Sequence, residues 1–211
     1  MKNNSTSRTD LALHEQALLV GLDLLDRRQT DIPKLSEVAE ALEVRCGEIE
    51  RLFANETALL HAAAQNALVH LMDICTRAVV QVDPKDAIGQ FKALGAAYLG
   101  WAYRFPQQYR LLSEGRVVDI LQVPELRRYS DATHNLMVQM LTRGRDAGQL
   151  HPREDVQLLA IAARTYAHGL ARMIIDGRMR EWYPDESPLD AGTRALDDFV
   201  RRMARAASPP G

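Results

Sequence analysis

The sequence predicts an all-α protein in which a three-helix helix-turn-helix head is joined to a larger helical-bundle body. Apolar residues recur with a helical period along almost the whole chain, and no stretch alternates apolar and polar residues as a half-buried strand does. The chain has 211 residues, of which 46% are hydrophobic and 26% are charged. That composition is sufficient for a substantial core and differs from the composition of a disordered chain.

The first four helices are predicted from apolar spacing and from capping residues. The stretch "LALHEQALLVGLDLLDRR" aligns its leucines on one face, and Asp10 precedes it as a candidate N-cap. Pro33 suits the first turn of a short second helix, "KLSEVAEAL", and "CGEIERLF" forms a third. Asn55 is placed to cap a long fourth helix that runs from Glu56 towards Val82.

The next three helices are bounded by prolines and a glycine. The fifth helix follows the break "VDPKD", begins near Pro84 and stops before Pro106. Pro106 itself begins a short sixth helix, "PQQYRLLSE", because proline is tolerated in the first turn. A long seventh helix runs from about Pro124 to Ala147 and ends at Gly148.

The last two helices are long. The stretch "REDVQLLAIAARTYAHGLARMIIDG" is strongly apolar and is closed by Gly177, and "DAGTRALDDFVRRMARAA" is the last helix before a frayed tail, "SPPG". The composition break near "VDPKD" and the cap at the fourth helix favour two parts. We expect a head at residues 1–54 and a body at residues 55–211.

Composition also limits the possible functions. Cys46 and Cys75 are too few for a disulfide framework, and no Cys or His spacing indicates a metal site. The polar N-terminus lacks the apolar core of a signal peptide, and no apolar run approaches the ~20 residues that a membrane span needs. No nucleophile motif, phosphate loop or recognisable pair of acids predicts an enzyme. We therefore expect a cytoplasmic, non-enzymatic protein without a cofactor, a metal or membrane contact.

The second and third helices carry the packing pattern of a helix-turn-helix. Such a pair needs a small residue where the helices cross, and Ala39 supplies it. Apolar residues should surround that point. They are Val38, Leu42, Val44, Ile49 and Leu52.

The order of these features resembles the TetR family of one-component bacterial regulators. In that family the head reads Ile-Ala, a small helix, Gly-Val-Ser, a recognition helix with Gly, Leu, Tyr and Phe, and then Lys-Glu-x-Leu. The matching residues are Val38-Ala39, Val44, Gly47, Ile49, Phe53 and Leu59-Leu60.

The body resembles the Trp-His-Gly type of C-terminal domain in the same family. That signature has a Tyr, an aromatic-Ala pair, a Pro, an aromatic-Arg-Leu element and a later His-Gly element. The matching residues are Tyr98, Trp101-Ala102, Pro106, Tyr109-Arg110-Leu111 and His168-Gly169. The Trp that the signature places shortly before His-Gly is missing.

The resemblance implies a ligand-responsive homodimeric transcriptional regulator. Its head would bind double-stranded DNA at a palindromic operator, and its body would bind a small apolar or aromatic effector. Most members of the family are repressors, so we expect a repressor that the effector releases from DNA. The last two long helices would form the dimer interface.

Candidate DNA contacts lie on the N-terminal arm, at the start of the second helix and around the third. They are Lys2, Arg8, Lys34, Arg45, Cys46, Gly47, Glu48 and Arg51. A flexible arm that carries Lys2 and Arg8 would enter the minor groove. Arg45 would hold a phosphate or a guanine edge, and Glu48 or Glu50 would accept a hydrogen bond from a cytosine amine.

Candidate effector contacts are aromatic, Met and His side chains of the body-type helices. They are Tyr98, Trp101, Tyr103, Phe105, Tyr109, Met137, Met140, Tyr166 and His168. Together they would form an apolar wall with a few polar tips, which is the usual composition of a small-molecule pocket. The alternative is that the aromatic and Met residues are ordinary core and that His168 is a satisfied core histidine.

Three glutamates depart from the family pattern. Glu43 replaces the turn Gly, Glu50 replaces the recognition-helix Tyr, and Glu56 replaces a Lys that usually contacts phosphate. Residues 1–60 hold seven Lys or Arg and eleven Asp or Glu, a net charge of −4, whereas the whole chain carries −2. A DNA-binding head ordinarily concentrates positive charge. The alternative function is therefore a TetR-like protein whose degenerate acidic head has lost ordinary DNA binding and acts through a protein partner or as a small-molecule binder.

Overall fold

A computed structural model describes residues 3–28, 32–115 and 117–205 of the chain. Within these ranges the secondary structure is helical and no strand occurs, which confirms the predicted all-α class. The helices are α1 (Asn3–Arg28), α2 (Leu35–Ala41), α3 (Cys46–Glu50), α4 (Glu56–Val80), α5 (Ala87–Arg104), α6 (Pro106–Ser113), α7 (Pro124–Asp146), α8 (Val156–Ile175), α9 (Met179–Trp182) and α10 (Pro188–Arg205).

The chain separates into two compact units. Unit 1 comprises Met1–Val69 and Gln107–Leu126, and unit 2 comprises His70–Pro106 and Arg127–Gly211. Unit 1 therefore includes most of α6 in addition to the helices of the predicted head, and α4 contributes to both units. The predicted boundary between residues 54 and 55 lies inside unit 1, and the domain limits stay a prediction.

The core of unit 1 forms where α2 crosses α3. Val38, Ala39 and Ile49 are 0%, 2% and 0% exposed, as the helix-turn-helix pattern requires. Phe53 after α3 is also buried, and its ring stacks on the imidazole of His14 from α1 with ring centroids 4.9 Å apart. The two short helices are thus fixed by apolar burial against each other and against α1.

The turn between α2 and α3 places Glu43 in the left-handed region, with φ of +56°. The family pattern has Gly at this position, and Gly adopts positive φ without steric cost. The backbone N–H of Val44 donates to the carbonyl of Ala39 at 3.0 Å, which closes the turn. The geometry of the turn is therefore retained although its residue carries a Cβ, which costs on the order of 1 kcal/mol.

Several predicted helix ends are confirmed. The Asn55 carboxamide oxygen accepts from the Ala58 N–H at 2.9 Å at the start of α4. Pro106 begins α6, and Pro124 begins α7. Gly148 and Gly177 follow α7 and α8 with φ of +74° and +73°, as left-handed C-terminal caps do.

Other predicted helix ends are wrong. Asp10 does not cap α1, because the helix already begins at Asn3. Pro33 lies before α2 instead of within its first turn, and Lys34 is the N-cap residue. Asp86 caps α5 by accepting from the Gly89 N–H at 2.8 Å, so the helix begins after the Asp83-Pro84 break. Apolar periodicity does not predict α9, since four residues are too few to show it.

In unit 2, α5, α8 and α10 pack on one another. The buried residues include Phe91 and Leu99 of α5, Leu170 and Ile174 of α8, and Leu196 of α10. The helices approach closely at glycines. A Cβ at Gly192 would lie 2.5 Å from Ile174 Cδ1, and a Cβ at Gly95 would lie 2.9 Å from Leu196 Cδ2.

We expect Glu43→Gly to raise the free energy of unfolding by up to ~1 kcal/mol, because it removes the Cβ from a left-handed residue. Chemical denaturation measures the change. Glu43→Ala is the control, since it removes the same charge but keeps the Cβ. An equal gain in the alanine variant would show that charge, and not backbone conformation, limits stability at this turn.

Candidate DNA-binding and effector-binding sites

Helix α3 and the residue before it form the centre of the candidate DNA-binding surface. Arg45 is the N-cap residue, and its backbone N–H donates to Glu48 Oε2 at 3.2 Å. Arg45 Nε lies 3.4 Å from the same oxygen, so the two residues also form an ion pair. The hydrogen bond from the Arg45 backbone, followed by the one from its side chain, lowers the pKa of Glu48. Glu48 is thus held ionised over the first turn of α3.

A second glutamate of α3 is engaged by a neighbouring side chain. Cys46 Sγ donates to Glu50 Oε1 at 3.4 Å, one helical turn apart. This hydrogen bond, with smaller contributions from burial and from the Glu50 charge, raises the pKa of the Cys46 thiol. Because a protonated thiol is a poor nucleophile, we expect the contact with Glu50 to slow the reactions that the partial exposure of Cys46 would allow.

Two further glutamates accept hydrogen bonds from the start of α2. The Lys34 N–H donates to Glu37 Oε2 at 2.8 Å. The Leu35 N–H donates to Glu56 Oε1 at 3.5 Å, which links the first residue of α4 to α2. The sequence shows Glu56 as the start of the fourth helix and as a lost phosphate contact, but the separation of 21 residues hides its partner at Leu35.

The predicted DNA contacts around α2 and α3 come together on unit 1. Lys34, Arg45, Gly47 and Arg51 are exposed, whereas Cys46 and Glu48 are half-buried. The side chain of Arg45 is 89% exposed. A Cβ added at Gly47 would meet no atom within 4 Å, so the surface of α3 is open there.

The two remaining DNA-contact candidates, Lys2 and Arg8, lie near the N-terminus of the chain. Lys2 lies outside the described residues. Arg8 was expected on a flexible arm, and that expectation is wrong for its backbone, which is part of α1. A helix that begins at Asn3 leaves Arg8 more than one turn inside it.

Helix α6 is tied to α1 within unit 1. Arg110 Nη1 lies 2.5 Å from Asp26 Oδ1, and both side chains are about one-third exposed. Tyr109, the preceding residue, is 1% exposed. The resemblance singles out Tyr109-Arg110-Leu111, but the partner of Arg110 lies 84 residues away and is not visible in the sequence.

The predicted effector contacts of unit 2 fall into buried and exposed groups. Trp101, Met137 and Met140 are 1%, 8% and 1% exposed and belong to the core. Tyr98 is half-buried with its ring centroid 6.0 Å from that of Trp101. Tyr103, by contrast, is 44% exposed on the same helix.

The remaining predicted effector contacts have distinct surroundings. The Phe105 ring meets the His70 imidazole edge-on, with ring centroids 4.5 Å apart. The Tyr166 ring stacks on Phe199 of α10 at 4.7 Å, and its hydroxyl donates to the Ala195 carbonyl at 3.3 Å. Burial, with smaller contributions from Asp198 and Tyr183, raises the pKa of Tyr166. Tyr166 therefore joins α8 to α10.

His168 differs from the core histidine that its apolar neighbours suggest. His168 is exposed, yet partial desolvation lowers the pKa of its imidazole, and the charges of Arg164 and Arg172 lower it further. The three residues are spaced four apart on α8 and share one face of that helix. The neutral imidazole is the favoured form in this cationic setting.

The same helix carries an exposed apolar strip. Leu158 is 63% exposed and Ile161 is 55% exposed, and Ala162, Thr165 and Gly169 are exposed as well. Their spacing of three or four residues places them on one face of α8. A Cβ added at Gly169 would meet nothing within 4 Å.

The described residues contain no group of three or more His, Cys, Asp or Glu side chains arranged to hold a metal ion. Among them there is also no helix that is both long enough and apolar enough to cross a membrane.

Comparison with protein families identifies the body. Residues 91–206, more than half of the chain, match the family model described as the tetracyclin repressor-like C-terminal domain. The chain belongs to the TetR family. Members of this family are transcriptional regulators that bind DNA operators and small-molecule effectors. A search among curated proteins finds no match to this TetR-family sequence.

Solved structures show the same fold. A Rhodococcus sp. RHA1 protein described as having unknown function is 24% identical, with a TM-score of 0.74 over 91% of this chain and 95% of that chain. A TetR-family regulatory protein from Rhodococcus RHA1 is 18% identical, with a TM-score of 0.69 over 91% and 97%. The ketosteroid transcriptional regulator KstR2 of Mycobacterium tuberculosis is 15% identical, with a TM-score of 0.70 over 90% and 94%.

The two cysteines are expected to differ in reactivity towards a thiol reagent at pH 8. Burial raises the pKa of Cys75 to about 12, which leaves roughly one thiolate in ten thousand at pH 8. Cys46 should react first and Cys75 only as the protein unfolds, as measured by absorbance and mass spectrometry. Glu50→Gln should accelerate the reaction of Cys46 by weakening the contacts that raise its pKa. Fast labelling of Cys75 in folded protein would contradict the placement of this thiol.

Proposed function

We propose that the protein is a homodimeric DNA-binding repressor that a small apolar or aromatic effector releases from a palindromic operator. The observation that carries the proposal is the arrangement of α3. The two arginines that cap it, Arg45 and Arg51, are exposed near an open Gly47, and Glu48 accepts hydrogen bonds from the backbone and the side chain of Arg45. A recognition helix of a helix-turn-helix needs such an exposed surface to enter the major groove.

The net charge of the head argues less strongly against DNA binding than a count of residues indicates. Glu37, Glu48 and Glu56 each accept a hydrogen bond from a backbone N–H of unit 1. Glu48 also balances the charge of Arg45, whose side chain remains exposed. These acids have structural roles inside the head, so the arginines and Lys34 are the cationic side chains that the head offers to DNA.

The proposed homodimer uses α8 and α10. A solvent-facing strip with Leu158 and Ile161 is costly on a monomer, because it leaves apolar area in water. A two-fold axis beside α8 would bring each strip against its copy and form a four-helix interface with α10. Such a dimer presents two heads to two half-sites of a palindrome.

The proposed effector is supported by the composition of unit 2. Trp101, Met137 and Met140 are large apolar side chains in its interior, and Tyr98 lies beside Trp101 with partial exposure. An apolar molecule of modest size suits such surroundings. Two proteins of similar fold are named as a fatty acid degradation regulator from Bacillus halodurans and a ketosteroid transcriptional regulator. Those names concern compounds of the same apolar class.

A second candidate function is favoured by the excess of acids in residues 1–60, where the net charge is −4. In this alternative the head has lost ordinary DNA binding, and the dimer acts through a protein partner or as a small-molecule binder. Glu50 and Glu56, at positions where the family has phosphate contacts, are the residues that favour it.

We expect Ile161→Glu to convert the dimer into a monomer, because two carboxylates would be buried near the two-fold axis without partners. Sedimentation equilibrium measures the mass, and circular dichroism checks that the variant is folded. Val80→Glu on α4 is the matched control, since Val80 is 66% exposed and lies outside the strip. A wild-type monomer, or a dimer that survives Ile161→Glu, would contradict the proposed interface.

We expect the purified dimer to enrich a palindromic consensus from a random duplex library at low salt. Arg45→Ala and Arg51→Ala should weaken binding to the enriched duplex roughly ten-fold or more, as measured by fluorescence anisotropy. Arg178→Ala, an exposed arginine of unit 2, is the control and should leave binding unchanged. A folded wild-type dimer that enriches no sequence would reject the repressor and leave the partner-binding alternative.

A further inference from the structure

We propose that Arg45 reads a guanine in the major groove and that Glu48 is the positioning residue that orients it. This inference rests on the proposed DNA-binding function and adds a base preference to it. The sequence alone allows Arg45 to hold either a phosphate or a guanine edge, and allows Glu48 or Glu50 to accept a hydrogen bond from a cytosine amine. The geometry of α3 separates these roles.

The Arg45 side chain is held at its Nε by Glu48. Its Nε lies 3.4 Å from Glu48 Oε2, and the same oxygen accepts from the Arg45 backbone N–H at 3.2 Å. One carboxylate oxygen of Glu48 therefore contacts both the backbone N–H and the side chain of Arg45. The guanidinium is planar, so a contact at its Nε restrains the direction of its two terminal nitrogens.

The terminal nitrogens of the Arg45 guanidinium are the proposed donors to the base. The side chain is 89% exposed, and within the described part of the chain the guanidinium contacts Glu48 through Nε. Two parallel N–H donors match the O6 and N7 acceptors of guanine, which is the commonest specific contact between arginine and a base. A phosphate would accept the same donors, but it does not require a fixed orientation of the fork.

Glu48 has a positioning role. Its carboxylate is engaged by Arg45, and those hydrogen bonds lower its pKa, so it stays ionised at neutral pH. An oxygen held over the first turn of α3 is directed towards the protein backbone. Glu48 acts on DNA through Arg45 and does not itself accept a hydrogen bond from a base.

Helix α2 supplies an internal comparison. Glu37 caps α2 as Glu48 caps α3, by accepting from the backbone N–H of the N-cap residue, here Lys34, at 2.8 Å. Lys34 has a single ammonium group and no planar fork, so it cannot hold guanine in the same bidentate way. The two caps are alike in their backbone hydrogen bond and differ in the side chain that the glutamate could orient.

The experiment is a selection from random duplex DNA with four proteins in parallel: wild type, Arg45→Lys, Glu48→Gln and Glu37→Gln. Wild type should enrich a palindrome in which each half-site holds one G·C pair, at positions related by the two-fold symmetry. Arg45→Lys should lower the preference for that guanine roughly ten-fold while it keeps the positive charge. Glu48→Gln retains a capping acceptor but weakens the ion pair, and should lower the preference about two- to five-fold.

The control and the readouts separate orientation from folding. Glu37→Gln should leave the base preference unchanged, and circular dichroism and thermal unfolding should show all four proteins folded. If Glu48 were only a helix cap, Glu48→Gln and Glu37→Gln would behave alike, and the positioning role would be rejected. If Arg45 contacted a phosphate, Arg45→Lys would keep the guanine preference, and the reading role would be rejected. A wild-type protein that enriches no DNA would reject both the proposed function and this inference.

Discussion

The packing of α2 against α3 is the constraint on which the rest of the head depends. Val38, Ala39 and Ile49 are almost completely buried where the helices cross, and the chain between them reverses through a left-handed Glu43. A larger residue at Ala39 would separate the helices, and another turn conformation would rotate α3 about its axis. Either change would move Arg45 and Arg51 together, because these two residues cap the two ends of the five-residue helix α3. A small apolar core thus sets the direction of the charged surface.

Charge counted along the sequence and charge presented by the structure differ in this head. The excess of acids in residues 1–60 predicts weak attraction to DNA if every carboxylate is treated as solvent-exposed. The structure engages Glu37, Glu48 and Glu56 with backbone N–H groups, and Glu50 with Cys46. These carboxylates still repel phosphates, but they occupy fixed positions instead of forming a uniform acidic face. Local placement of these carboxylates, more than the net charge, therefore decides which parts of the head attract or repel a polyanion.

The sequence predicts local features, such as the ends of helices, better than contacts between distant residues. Asn55, Pro106, Pro124, Gly148 and Gly177 set helix ends through their own backbone preferences and side-chain hydrogen bonds, and the structure agrees with each. Asp10 misleads because a favourable cap residue inside a longer helix looks the same in sequence as one at its start. The Arg110–Asp26 and Glu56–Leu35 contacts join residues far apart in the chain, so no local pattern reveals them. The candidate effector residues share only their aromatic, Met or His character. The sequence does not show which of them are buried, because tertiary packing alone distinguishes buried Trp101 from exposed Tyr103.

The central claim is that a head with this charge still binds the phosphate backbone through the side chains it exposes. The most direct measurement is the affinity of the wild-type protein for a duplex selected from random DNA, across a series of salt concentrations. Arg45 is assigned to a base, so Lys34 and Arg51 from the two proposed heads would give four phosphate contacts. The logarithm of the affinity should then fall against the logarithm of salt with a slope of about −4. A slope near zero would contradict the account, because it would mean that the arginines and lysines displace no counterions from DNA.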